Sequence, residues 1–240
     1  MAISRRQKLT IISLVIYWPC VFILAHIPIP QLVYKARVSD KSIHFLTYLV
    51  LVFLLWFTIS PTKKVNWRKA AVWWVLLVVV WYGVIDEVLQ GYVGRSCDVE
   101  DFLADLAGTL AGLVLFSFFT FWPVLLAVTG IVIFGITNLA RANLAELVPI
   151  SNAMFHLFGY GFFTMLWIQN MHLYLLMKAP KLKWIITALA IPAGLLLTVK
   201  SFSVIYGKDF GVREVIVAAA GITAVVATTC LTALFRRSLT

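Results

Sequence analysis

The sequence predicts an all-α, polytopic membrane bundle. It has eight transmembrane helices, arranged as two parallel four-helix repeats, with both termini on the cytoplasmic side. Three observations predict this. Of 240 residues, 62% are hydrophobic and only 12% charged, where soluble domains carry about 25% charged residues; mean hydropathy is +0.97. Eight apolar stretches punctuate the chain, each close to the ~20 residues a helix needs to cross a bilayer. All ten acidic residues fall on one expected side of those crossings.

The first stretch, 9–28, follows the basic run Arg5-Arg6-Gln7-Lys8. No small-x-small cleavage site follows it, so it reads as a retained span rather than a signal peptide. The second, 43–60, is entered through Asp40 and carries His44 and Tyr48. The third, 70–89, closes on Asp86, Glu87 and Gln90, and the fourth, 99–119, opens with Asp98, Asp101 and Asp105. Trp122-Pro123 breaks the fourth from the fifth, 121–138; the sixth, seventh and eighth are 152–171, 184–203 and 212–235.

Basic residues set orientation because cytoplasmic loops retain them. With the N-terminus inside, twelve fall on the cytoplasmic side, among them Arg5, Arg6, Lys63, Lys64, Arg68, Lys181 and Arg236, and eight on the other. This places a multi-pass protein in the cell membrane with its acidic cluster extracytoplasmic. The formal charge of +10 resides in these short loops, so no nucleic-acid partner is expected. Cys20, Cys97 and Cys230 are odd in number and scattered, which argues against a disulfide framework and a cysteine zinc site.

Two segments repeat. Asp40, His44 and Tyr48 align with Asn152, His156 and Tyr160 at an offset of 112. Asp101, Ala107 and Gly108 align with Glu214, Ala220 and Gly221 at an offset of 113, as Gly94-Arg95 does with Gly207-Lys208. The expected domains are 1–120, carrying the polar site, and 121–240, a degenerate copy whose acids have largely gone. An even number of crossings gives both copies the same orientation, related by an axis along the membrane normal. Ala104, Gly108 and Gly112 form a small-residue stripe, expected to pack against a similar stripe at Ala220 and Ala224 in the eighth span.

The polar residues converge if the first four spans bundle. Asp40, His44 and Tyr48 share one helical face, as do Asp98, Asp101 and Asp105. Charged groups inside a membrane cost free energy and mark functional sites. The candidate catalytic residues are Asp40, His44, Glu87, Gln90, Asp98, Asp101 and Asp105. Lys41 and Arg95 would bind a head group, Arg95 through its bidentate fork. Asp98 is placed to cap the fourth span, with Asp101 at its third position. Asp105 lies a turn deeper and needs a cation, with Arg95 or Lys41 as the expected structural partner. No cofactor motif is present; clustered oxygens leave a divalent cation open, with the metal unspecified.

The ordered set Asp40-Lys41-x-x-His44-Phe45-x-x-Tyr48, Glu87-x-x-Gln90 and Gly94-Arg95-Ser96-x-Asp98-x-x-Asp101, with Gly108 following, resembles the VanZ-like membrane proteins. The resemblance covers roughly 9–119, with a fainter second pass over 121–235. It implies a four-span unit, a place in the cell envelope and a link to resistance to the lipid-tailed glycopeptide teicoplanin. The chain departs from the family pattern at Asp105, where Asn is usual.

Two functions stand close together. One is an enzyme acting on a lipid or lipid-linked head group, with a carboxylate as general acid or base and His44 as proton partner. The other is a non-catalytic binder holding a lipid tail or lipophilic antibiotic between the halves. A transporter ranks third, because its polar midplane candidates are only Thr129, Thr187 and Thr198. A homo-oligomer stays open.

Overall fold

The structure, a computed structural model, describes residues 3–26, 39–93, 97–139, 148–177, 179, 181–207 and 210–238. Its long helices are α1 (Arg5–His26), α2 (Asp40–Ile59), α3 (Ala70–Tyr92), α4 (Val99–Phe118), α5 (Phe121–Leu139), α6 (Pro149–Asn170), α7 (Leu182–Ile205) and α8 (Val212–Ser238). Among the described residues there is no strand. Seven of these helices are long and apolar enough to cross a membrane. The exception is α6, whose 22 residues include Asn152, His156, Gln169 and Asn170. The chain is membrane-embedded and all-helical.

The chain divides into two compact units, and the division falls inside α5, between Val128 and Thr129. In the first unit α2 is central, with half of its apolar window buried, while only 6% of that of α1 is. Its closest neighbour is α4. A Cβ placed on Gly108 would lie 2.3 Å from the Phe45 carbonyl oxygen, and one on Gly112 would lie 2.5 Å from Val52 Cγ1. The small-residue stripe of α4 therefore packs on α2 within its own unit, where the sequence reading expected the stripe at Ala220 and Ala224 as its partner. The reason is local: a bare glycine surface admits the nearest backbone, and α2 supplies one within the same unit.

The opposite end of this unit is closed by rings and a pinned loop. Phe57 meets Phe116 at 5.4 Å and Phe121 at 5.2 Å. Trp56 Nε1 donates to the Lys63 carbonyl at 3.1 Å, and Trp67 Nε1 donates to Ser117 Oγ at 2.9 Å. These bonds tether the loop joining α2 to α3.

In the second unit α6 packs on α8. A Cβ on Gly221 would lie 2.3 Å from the Leu157 carbonyl oxygen. Trp184 is completely buried against Ile168, Met171 and Ala188. A single π-helical turn, Met171–Leu175, ends α6, with Leu176 in the left-handed region at φ 51°.

Candidate functional site

α1 and α3 end, and α2 and α4 begin, at the same end of the first unit, where His26 of α1 meets Asp86 of α3 and His44 of α2 meets Asp105 of α4. The first turns of α2 present Asp40 and His44. The last turns of α3 present Asp86, Glu87 and Gln90, and the first turns of α4 present Asp101 and Asp105. Asp86, Glu87, Gln90, Asp101 and Asp105 are all buried, each at 4% exposure or less, and His44 at 8%.

His44 is the hub. Its Nδ1 lies 2.9 Å from Asp105 Oδ1 and 3.8 Å from Glu87 Oε1, and its Nε2 lies 3.9 Å from Asp40 Oδ1. The Nδ1–Asp105 bond selects the tautomer that keeps the proton on Nδ1, and Nε2 faces Asp40. Glu87 Oε2 accepts the backbone N–H of Asp98 at 3.0 Å, which ties the end of α3 to the start of α4. Glu87 Oε1 and Asp101 Oδ1 are buried without a hydrogen-bond partner, whereas Asp105 Oδ2 lies on the side of Gly83 and the Tyr48 hydroxyl. Buried acceptors left open in this way are costly, and both belong to carboxylates within reach of the His44 ring.

Asp105 therefore pairs with His44, and not with Lys41 as the sequence suggested. Lys41 Nζ instead sits 3.5 Å from Asp98 and 2.5 Å from Glu100. The correction is geometric: Lys41 lies near the start of α2 and snorkels to the half-exposed start of α4, whereas Asp105 is a turn and more deeper. Asp98 caps α4 as expected, its Oδ1 accepting the Glu100 N–H at 2.9 Å. That bond, with Lys41 alongside, holds the Asp98 carboxyl below its usual pKa. Gln90 does not reach His44; its amide donates to Asp86 Oδ2 at 3.0 Å, one turn back on α3. Arg95 lies outside the described residues.

Two participants escaped the sequence reading. His26, the last residue of α1, places Nδ1 3.8 Å from Asp86 Oδ1 and stacks on Phe22 at 4.2 Å. The signal for it was a lone His closing an apolar span on the acidic side of the topology. Gly83 of α3 is the other. A Cβ there would rest in ordinary contact, 3.4 Å from Asp105 Oδ2 and 3.5 Å from the Tyr48 hydroxyl, which places α3 directly against the His44–Asp105 pair. Tyr48 and Tyr82 stack beside it at 5.9 Å.

In the second unit His156 and Tyr160 are buried on α6 as well. His156 meets Phe210 edge-on at 5.1 Å. Asn152 Nδ2 donates to Glu214 Oε1 at 3.3 Å, a neutral amide against a carboxylate.

Residues 6–120 match the family described as VanZ/LLP1. The first half of the chain is a VanZ-like protein. No curated protein and no solved structure matches the chain. Every buried carboxylate around His44 lies within the VanZ-like segment.

Proposed function

We propose that the VanZ-like half acts on the polar head of a membrane lipid or lipid-linked molecule, at an extracytoplasmic site built from the ends of α2, α3 and α4. The observation that carries this reading is the buried His44–Asp105 pair at 2.9 Å with Glu87 3.8 Å away, lodged at the end of apolar helices. Ionisable groups in such a place demand partners and mark function. Glu87 is the acid–base group: one oxygen is fixed by the Asp98 N–H, and the other is open toward the ring. Asp105 orients His44. Placing the site outside follows from the twelve-to-eight excess of basic residues in the opposite loops.

The second unit serves as a scaffold in this proposal, a copy of the first. The equal 2.3 Å approaches of Gly108 to Phe45 and of Gly221 to Leu157 support the repeat, since the paired residues stand at the same 112–113 offset. An eighth crossing by α6 completes it.

A second reading, a binder of lipid tails, draws on an apolar groove of about 660 Å³ between α1 and α3, lined by Leu14, Trp18, Phe22 and Tyr82. Phe22 connects it to His26 and so to Asp86. The two readings separate in a lipid inventory of the source membrane. A catalyst changes one head-group pool when Glu87→Gln replaces the native chain, whereas a binder leaves every pool as it was. Teicoplanin susceptibility of the same strains tests whether the resistance tied to VanZ-like proteins extends to this chain.

A further inference from the structure

Asp40, His44 and Asp101 each offer a ligand atom, and these atoms lie within 4.8 Å of one another. His44 Nε2, the ring nitrogen turned away from Asp105, faces Asp40 Oδ1 at 3.9 Å. Two ligands held about 2.1 Å from one ion stand roughly 3.4–4.2 Å apart at tetrahedral to linear angles, so this separation suits a shared cation. Asp101 is 96% buried by its 4% exposure, and its Oδ1 has no hydrogen-bond partner. Behind the ring, Asp105 accepts from Nδ1 at 2.9 Å. A carboxylate on the far nitrogen is the arrangement by which proteins orient a metal-binding histidine. The second unit supplies a contrast. Where Asp40 and Asp101 bring two carboxylates together, the aligned Asn152 and Glu214 satisfy each other by an amide hydrogen bond.

We propose that Asp40, His44 Nε2 and Asp101 hold a divalent cation, with Asp105 as the carboxylate that positions His44, and that the cation receives a phosphate oxygen of the head group. The carboxylates gathered here repel an anionic head group, and the described ammonium of Lys41 is already engaged by Asp98 and Glu100. A cation reverses that local charge. One imidazole with carboxylate oxygens suits Mn2+ or Zn2+ over soft, thiolate-seeking ions. The phosphate assignment rests on the head-group reading above; the cation site does not.

The test is Mn2+ titration of the purified full chain in detergent, followed by electron paramagnetic resonance and thermal unfolding. The wild type is expected to bind Mn2+ with a single-site isotherm and to unfold at higher temperature with it, since a ligand specific for the native state stabilises it. Asp101→Asn and the half-exposed Asp40→Asn should abolish binding, Asp105→Asn should weaken it about 10–100-fold, and Lys64→Ala should leave it intact. Because Asp40→Asn touches little of the core, its folded state keeps the comparison meaningful even if a deeper variant unfolds. Unchanged Mn2+ affinity in both Asp40→Asn and Asp101→Asn, or no binding by folded wild type, overturns the cation site. In mixed micelles, bound Mn2+ should broaden the phosphorus resonance of an anionic phospholipid more than that of added inorganic phosphate. Mn2+ binding without that broadening overturns the phosphate assignment and leaves the cation site standing.

Discussion

His44 shows what a residue's surroundings add to its sequence position. The i, i+4 spacing placed Asp40 and His44 on one face of α2, and the same periodicity lined up Asp101 and Asp105 near the start of α4. Which groups then paired was not legible. Asp105 stands 61 positions from His44, and Arg95 and Lys41 were equally reasonable partners on charge alone. Depth decided it: Lys41 reaches the half-exposed Asp98 and Glu100, while Asp105 lies level with the imidazole. Asp105→Ala should therefore leave Nδ1 buried and unpaired and destabilise the protein by about 1–3 kcal/mol, read as the unfolding midpoint in detergent, whereas an unchanged midpoint would mean that the 2.9 Å bond is not formed. Asp98 makes a pH prediction. Its carboxylate is stabilised in the folded state by the Glu100 N–H, so its folded pKa lies below its unfolded one. Its contribution is fully present above the unfolded value and is lost as pH falls through the folded value. Asp98→Asn should flatten the acid limb of a thermal-stability profile below about pH 4; a limb identical to wild type would sink this account.

At the scale of elements, the helices follow the apolar stretches within a few residues, because bilayer thickness and hydropathy fix their length. Asp98 began α4 as capping chemistry requires. Packing partners were harder to read. Small-residue stripes announce close approach but not the helix that approaches, and Gly108 and Gly112 face α2. The π-turn at Met171–Leu175 carried no signal, since neither proline nor glycine marks it. Two glycines give opposed predictions. Gly108→Ala would drive a Cβ to within 2.3 Å of the Phe45 carbonyl and should destabilise by about 1–3 kcal/mol. Gly194→Ala in α7 meets nothing within 4 Å and should stabilise by about 0.4–1 kcal/mol through the unfolded chain. Thermal unfolding of the pair distinguishes close packing at Gly108 from a general glycine effect; equal shifts would refute the α2–α4 contact.

For the whole molecule, the sequence resemblance and the family match meet on the same first half, where the buried carboxylates collect. The division of the chain inside α5 was not legible, because hydropathy marks spans and not the packing that groups them. Orientation is testable with the native thiols. Cys97 is exposed at the start of α4, so in a variant lacking Cys20 and Cys230 an impermeant maleimide should label it in intact cells. A cysteine introduced by Lys64→Cys should react only after permeabilisation; the reverse pattern would invert the topology. On the proposed function, the carboxylate–histidine cluster of the VanZ-like half engages a lipid head group. Native mass spectrometry of the chain with lipids carried from its source membrane tests this most directly, comparing wild type with Glu87→Gln. A defined lipid class enriched on wild type, and lost or chemically altered on Glu87→Gln, is the predicted result. The same lipids on both proteins, in the proportions of the bulk membrane, would contradict it.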